Sequence, residues 1–202
     1  MSSSPSTLNF GSMTDVFGFL IEIDKLKSVQ RRNKIIGSER HEDSAEHSWH
    51  FAVAAMALAP YAGEGVDIQR VIQMALIHDI VEIDAGDVIV YDFPPVWRFT
   101  IRKSLPPPAF LACCQSRSAS NSTNLWEEYE ANETPSAQFA MVLDRVMPML
   151  MNLYNGGQSW VENGIRLEQV LERAEFIADI NPELWQYLKQ HLEEAKAKGW
   201  LL

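Results

Sequence analysis

V-I-Q-M-A-L-I-H-D-I-V-E-I-D-A-G-D, residues 71–87, is an apolar run that ends in His78 and Asp79, then sets Glu82 one turn on and Asp87 just past Gly86. Val71, Met74 and Ala75 precede His78 at helical spacing and predict one buried face. His78 and Glu82 are expected to project from the same face of that helix. So apolar a segment ends in a group of ionisable side chains only if something offsets their desolvation. A divalent cation does so, because neutral imidazole and ionised carboxylate are both good ligands for one.

Outward from this stretch, other polar residues stand where apolar ones belong. Ser44 reads as the N-cap of a helix to about Ala59, with His47 in its first turn. A lone helical histidine is usually a hydrogen-bonded structural residue; His47 is set apart by the downstream His-Asp pair, whereas His50 is left structural. Thr134 caps a further helix with Pro135 at its first position, and Phe139, Ala140, Leu143, Met147 and Leu150 form its apolar side. Asp144 is embedded in that side. It either pairs with Arg145, lies at the edge of the stripe, or joins His47, His78 and Asp79 as a ligand. Pro148 is expected to kink this helix, and Gly156-Gly157 to stop it.

The remaining signals are also helical. Residues 14–29 read as the first helix, with Thr14 or Asp15 as cap and Val16, Phe19, Leu20 and Ile23 on one side. Arg31, Arg32 and Lys34 follow, either as a solvated helix end or as an anion clamp. Asp67 caps the helix that carries His78, and two more helices are expected over about 165–178 and 182–198. No strand-like alternation stands out. The expectation is an all-α, irregular helical bundle with its polar cluster between helices.

At 202 residues the chain is expected to form a single domain over 14–202, behind a Ser-rich flexible leader over 1–13 that lacks the features of a signal peptide. No apolar stretch reaches bilayer length, so the expected location is cytoplasmic. A net charge of −10 argues against binding a nucleic-acid polymer or an anionic membrane, but not a small phosphorylated substrate. The only cysteines, Cys113 and Cys114, are adjacent, which fits a reduced compartment. The segment 93–124 stands apart: it has no Asp or Glu, although the chain has 27, and it holds five of the ten prolines. It is expected to be irregular.

His47, then His78-Asp79, then Asp144 is an H…HD…D pattern. On this pattern, with S-A-E-H-S-W-H at 44–50, L-W-E-E-Y-E at 125–130 and F-A-M-V-L-D-R at 139–145, the chain resembles the HD-domain metal-dependent phosphohydrolases, and within them the 5′-deoxynucleotidase group. The resemblance implies one divalent metal held by His47, His78, Asp79 and Asp144, a water-activating role for Glu82, and a place near the substrate for Asp87. It implies Arg32, with Arg31 beside it, as the phosphate-binding group. It implies hydrolysis of (deoxy)nucleoside 5′-monophosphates by a homodimer. Mixed nitrogen and oxygen ligation suits Mn²⁺, Co²⁺, Fe²⁺, Ni²⁺ or Zn²⁺ better than Mg²⁺. The alternative is a non-catalytic HD protein that binds a nucleotide or metal as a sensor or oligomeric partner.

Two departures from the pattern are visible. Asn33 stands where some nucleotidases carry Trp after the phosphate-binding Arg. The match also stops after Asp92 and resumes at Leu125, with the length about right and the composition wrong, as a compensated reading-frame shift would leave it. The encoding DNA decides that reading: it fails if neither alternative frame gives a charged, helix-compatible peptide.

Overall fold

A computed structural model describes residues 8–85 and 117–202. Among these the architecture is the expected helical bundle, with one small ribbon added. Helix α1 (Thr14–Ile23) tightens into a 3-10 turn over Asp24–Ser28, so the expected single helix over 14–29 divides. Strands β1 (Gln30–Lys34) and β2 (His41–Asp43) pair antiparallel with an irregular register. Helices α2 (Ser44–Ala57), α3 (Ile68–Ile77) and α4 (Glu82–Ala85) follow. Beyond the undescribed stretch come α5 (Arg117–Ala131), α6 (Pro135–Tyr154), α7 (Gln158–Glu162), α8 (Leu167–Ala174), α9 (Ile177–Ile180) and α10 (Pro182–Ala197).

The ribbon corrects the reading of Arg31, Arg32 and Lys34 as a helix end. Its strands are short and wholly polar, so no apolar alternation announces them. It is held by tertiary contacts instead. Asn33 is buried: its Nδ2 donates to the Pro148 carbonyl (3.3 Å), and its Oδ1 accepts from Ser159 Oγ (2.9 Å). Gln158 Oε1 accepts from the Lys34 amide at 3.0 Å, and Asn155 Nδ2 donates to the Lys34 carbonyl at 2.8 Å.

Helix α6 is the central element, and it runs on through Pro148. Phe139, Ala140 and Leu143 pack with Phe51 of α2, Val71, Met74 and Ala75 of α3, and Leu125 and Tyr129 of α5. Val142, Val146 and Met149 pack on the other side with Trp160, Val170, Ile177, Leu188 and Leu192. The chain thus builds two apolar clusters on one helix. The first cluster, where α2, α3, α5 and α6 meet, surrounds the polar residues picked out in the sequence.

Helix α5 starts at Arg117, so residues 117–124, expected to be irregular, are helical. No proline or glycine lies between Pro108 and Ala131, and the buried Leu125, Trp126 and Tyr129 fix the helix from its C-terminal half. The rest of the segment 93–124, including Cys113 and Cys114, lies outside the described residues, as do residues 1–7 of the leader expected over 1–13; Gly11–Met13 of that leader form a 3-10 turn.

Candidate metal centre

Three helix segments deliver the site. Asp43 caps α2 by accepting from the Glu46 amide at 2.8 Å, while Glu46 accepts from the Asp43 amide at 3.1 Å, a reciprocal capping box. Ser44 is therefore the first helical residue rather than the cap. The box fixes the first turn, from which His47 points into the protein with no exposed surface. Asp67 caps α3 as expected, through the amides of Gln69 and Arg70. That helix ends at Ile77, and the hydrogen bonds from Ile80 to Ile77 (3.2 Å) and from Glu82 to Asp79 (2.9 Å) tighten residues 78–81 into a turn. His78 and Glu82 accordingly do not share one continuous helix. Instead Glu82 accepts a 2.8 Å hydrogen bond from Ser44 Oγ, on the same turn of α2 as His47.

His47, His78 and Asp144 come together: one donor atom of each lies within 4.8 Å of the other two. His47 Nε2 is 3.1 Å from Asp144 Oδ1, and His78 Nε2 is 3.6 Å from the same oxygen. Tyr129 donates to Asp144 Oδ2 at 3.1 Å. Asp144 therefore does not sit at the edge of its stripe. Asp79 stands alongside, with Oδ2 3.1 Å from His78 Nε2 and accepting from Arg31 Nη1 at 2.9 Å. Arg31 Nε also approaches Glu42 Oε2 at 3.4 Å.

The tautomer of His78 follows from its partner. Its Nδ1 lies 2.9 Å from the Ala75 carbonyl, which can only accept, so Nδ1 carries a proton. In the neutral ring Nε2 is then a lone pair aimed at the carboxylates. Nε2 is buried and has no hydrogen-bond partner among the described residues, despite two carboxylate oxygens nearby. A buried imidazole nitrogen that faces acceptors, with a second imidazole beside it, is a donor set for a cation.

The electrostatics agree. With the protein groups alone, burial opposes charge on His78, but Asp79, with Asp144, outweighs it and lifts the pKa to about 10. The carboxylates that hold that proton would equally hold a metal. Burial pushes His47 the other way, to about 4, and the Arg31 charge adds to the effect. Burial also lifts Glu42 to about 7, against the pull of Arg31.

Of the remaining sequence candidates, Arg31 reaches the cluster and Arg32 does not. Strand alternation turns Arg31 and Asn33 inward and leaves Arg32 exposed. Asn33 is engaged with Ser159 and Pro148, on the side of β1 that faces α6. Asp87 lies outside the described residues. His50 is half-buried beside the ring of Trp49. Sequence reasoning missed Glu42, which it placed in a polar connection, and gave no individual role to Ser44 or Tyr129 at the site. Tyr129 was visible only as part of L-W-E-E-Y-E.

Comparisons with known proteins point the same way. Residues 23–185 match the model of a family described as HD domain. A crystal structure from Magnetospirillum magnetotacticum, described as a predicted metal-dependent phosphohydrolase, matches with a TM-score of 0.83 at 39% identity, covering 94% of this chain and 97% of that one. The mouse 5'-deoxynucleotidase HDDC2 is 27% identical over 136 residues, which is 67% of each chain. The human 5'-deoxynucleotidase HDDC2 is 26% identical over 145 residues, 71% of this chain and 70% of the human one.

Proposed function

The chain belongs to the HD-domain family of metal-dependent phosphohydrolases, and we propose that it hydrolyses nucleoside 5′-monophosphates, deoxynucleotides among them, to nucleoside and inorganic phosphate. The observation that carries this reading is the convergence of His47, His78 and Asp144, with the buried His78 Nε2 facing carboxylate oxygens of Asp79 and Asp144. The names of the mouse and human relatives support the nucleotide substrate.

In this reading His47, His78 and Asp144 hold one divalent ion, and Asp79 is its fourth ligand. Two imidazoles with two carboxylates favour Mn²⁺, Co²⁺, Fe²⁺, Ni²⁺ or Zn²⁺ over Mg²⁺. The bound ion supplies Lewis-acid activation of water and of a phosphoryl oxygen. The chain's own groups do the rest. Glu82, oriented by Ser44, accepts the proton of the attacking water as the new bond to phosphorus forms and the bond to the 5′-oxygen breaks. The Arg31 guanidinium, at the edge of the cluster, binds the phosphate oxygens and stabilises their growing charge. Arg32 is the less favoured candidate because it is exposed. Asp87 either orients the water or protonates the leaving oxygen.

Phosphate release measured across deoxy- and ribonucleoside monophosphates, each with a panel of divalent metals, tests this. We expect turnover with at least one transition metal and none after chelation. Nucleotide binding without phosphate release under every metal would favour a sensor instead.

We further propose that the protein acts in the cytoplasm, as a homodimer. No helix among the described residues is long and apolar enough to cross a membrane. Val16, Leu20 and Ile21 of α1 are 41%, 49% and 50% exposed, an apolar face for a second copy to cover.

A further inference from the structure

Glu42 is buried to within 3% of its surface, yet it belongs neither to the ligand set nor to the groups assigned to the reaction. It sits on β2, one residue before the cap of α2. Its Oε2 lies 3.4 Å from Arg31 Nε and 3.8 Å from Nδ1 of His47. Both Oε2 and that Nδ1 are buried, and neither has a hydrogen bond among the described residues. Two unsatisfied groups, an acceptor and a ring nitrogen, therefore face each other just beyond hydrogen-bond reach.

The other face of the same ring is equally committed. His47 Nε2 is 3.1 Å from Asp144 Oδ1, so a neutral ring with a single proton has a carboxylate before each nitrogen. It satisfies only one of them. If the proton is on Nε2, it bonds Asp144 and blocks that nitrogen as a ligand. If it is on Nδ1, it faces Glu42 and leaves the Nε2 lone pair on the side of His78 and Asp144.

We propose that Glu42 is a positioning residue for the metal centre: it accepts a hydrogen bond from the Nδ1–H of His47, which keeps that proton on Nδ1 and leaves the Nε2 lone pair for the ion. The assignment rests on the reading of His47, His78 and Asp144 as metal ligands. A carboxylate behind a ligating imidazole fixes its tautomer and ring orientation and raises its basicity. Arg31 links this carboxylate to the one beside His78, since the same guanidinium also donates to Asp79.

The test uses Zn²⁺, which is diamagnetic, and the full chain labelled with ¹⁵N in its histidines. On adding Zn²⁺ to the wild-type protein, the His47 resonances should report a proton on Nδ1 and a metal on Nε2. Calorimetric titration with Zn²⁺ should show affinity about 10- to 100-fold weaker in Glu42→Ala. Glu42→Gln, whose amide oxygen still accepts the Nδ1 proton, should lose less. A His47 that binds Zn²⁺ through Nδ1, or keeps its proton on Nε2, overturns the assignment without recourse to any variant. So does a folded Glu42→Ala variant that is merely less stable to urea but binds Zn²⁺ like the wild type. A wild-type protein that takes up no Zn²⁺ overturns the ligand reading itself, and Glu42's role with it.

Discussion

Glu82 and His78 lie in the same turn of chain, and both are buried, yet substitution should separate them. Glu82 contacts Ser44 and is proposed as the base. Glu82→Ala should lower turnover by about 10²–10⁴-fold while metal content stays near that of the wild type. His78→Ala removes a ligand and should cost more than about 100-fold in metal affinity, with turnover lost in parallel. Metal content by atomic emission, measured beside phosphate release, distinguishes the two. Retained turnover in Glu82→Ala would show that the base lies elsewhere. Legibility in the sequence also divides at this scale. His78 and Asp144 could be picked out because each stands in an apolar helical pattern, and His47 because of the His-Asp pair downstream. Glu42 could not, because one more carboxylate in the polar run S-E-R-H-E-D-S-A-E looks like any connection until folding buries it.

Between elements, the connections are short and specific. Gly157 stands between α6 and α7 with φ of +71°. A Cβ there would overlap the Cβ of Trp200 and lie 2.9 Å from its Cγ and 3.2 Å from its Cα. Gly157→Ala therefore combines a left-handed backbone with a steric clash and should destabilise the fold by about 3 kcal/mol, read from urea unfolding. Helices α3, α5 and α6 are tied at one point. Arg70 Nε donates to Glu128 Oε2 at 2.6 Å, and Thr134 Oγ1, the cap of α6, donates to Oε1 at 2.6 Å. The hydrogen bond from Arg70 holds the Glu128 carboxyl below its usual 4.5. Its contribution is complete above that value and is lost as the pH falls through the lowered one. Arg70 is 39% exposed, so screening limits the effect. Glu128→Gln should cost about 1 kcal/mol at pH 7 and progressively less as the pH falls below 4.5, by the same unfolding measurement. Most helices were legible because their caps were local: Asp67, Thr134 and Asn181 all bond amides within three residues. The β1–β2 ribbon was not, because its anchors, Ser159, Gln158 and Asn155, lie more than a hundred residues away in sequence.

For the whole molecule, the dimer proposal predicts twice the 22.9 kDa chain mass in sedimentation at micromolar concentration. Leu20→Glu with Ile21→Glu should give the single-chain mass while metal binding is retained. A wild-type protein that sediments as one chain would overturn the proposal. The sequence by itself determined the helical class, the caps Asp67, Thr134 and Asn181, the apolar faces of α3 and α6 and the ligand candidates, because helix periodicity and capping are written within a turn or two of chain. Only the tertiary structure decided that Arg31 rather than Arg32 meets Asp79, that Glu82 turns back to Ser44, and that Glu42 lies behind His47. Each of those depends on where a distant element presents its partner. The spacing of residues along one helix cannot encode the relative placement of α2, α3 and α6, which is set by apolar packing on both sides of α6.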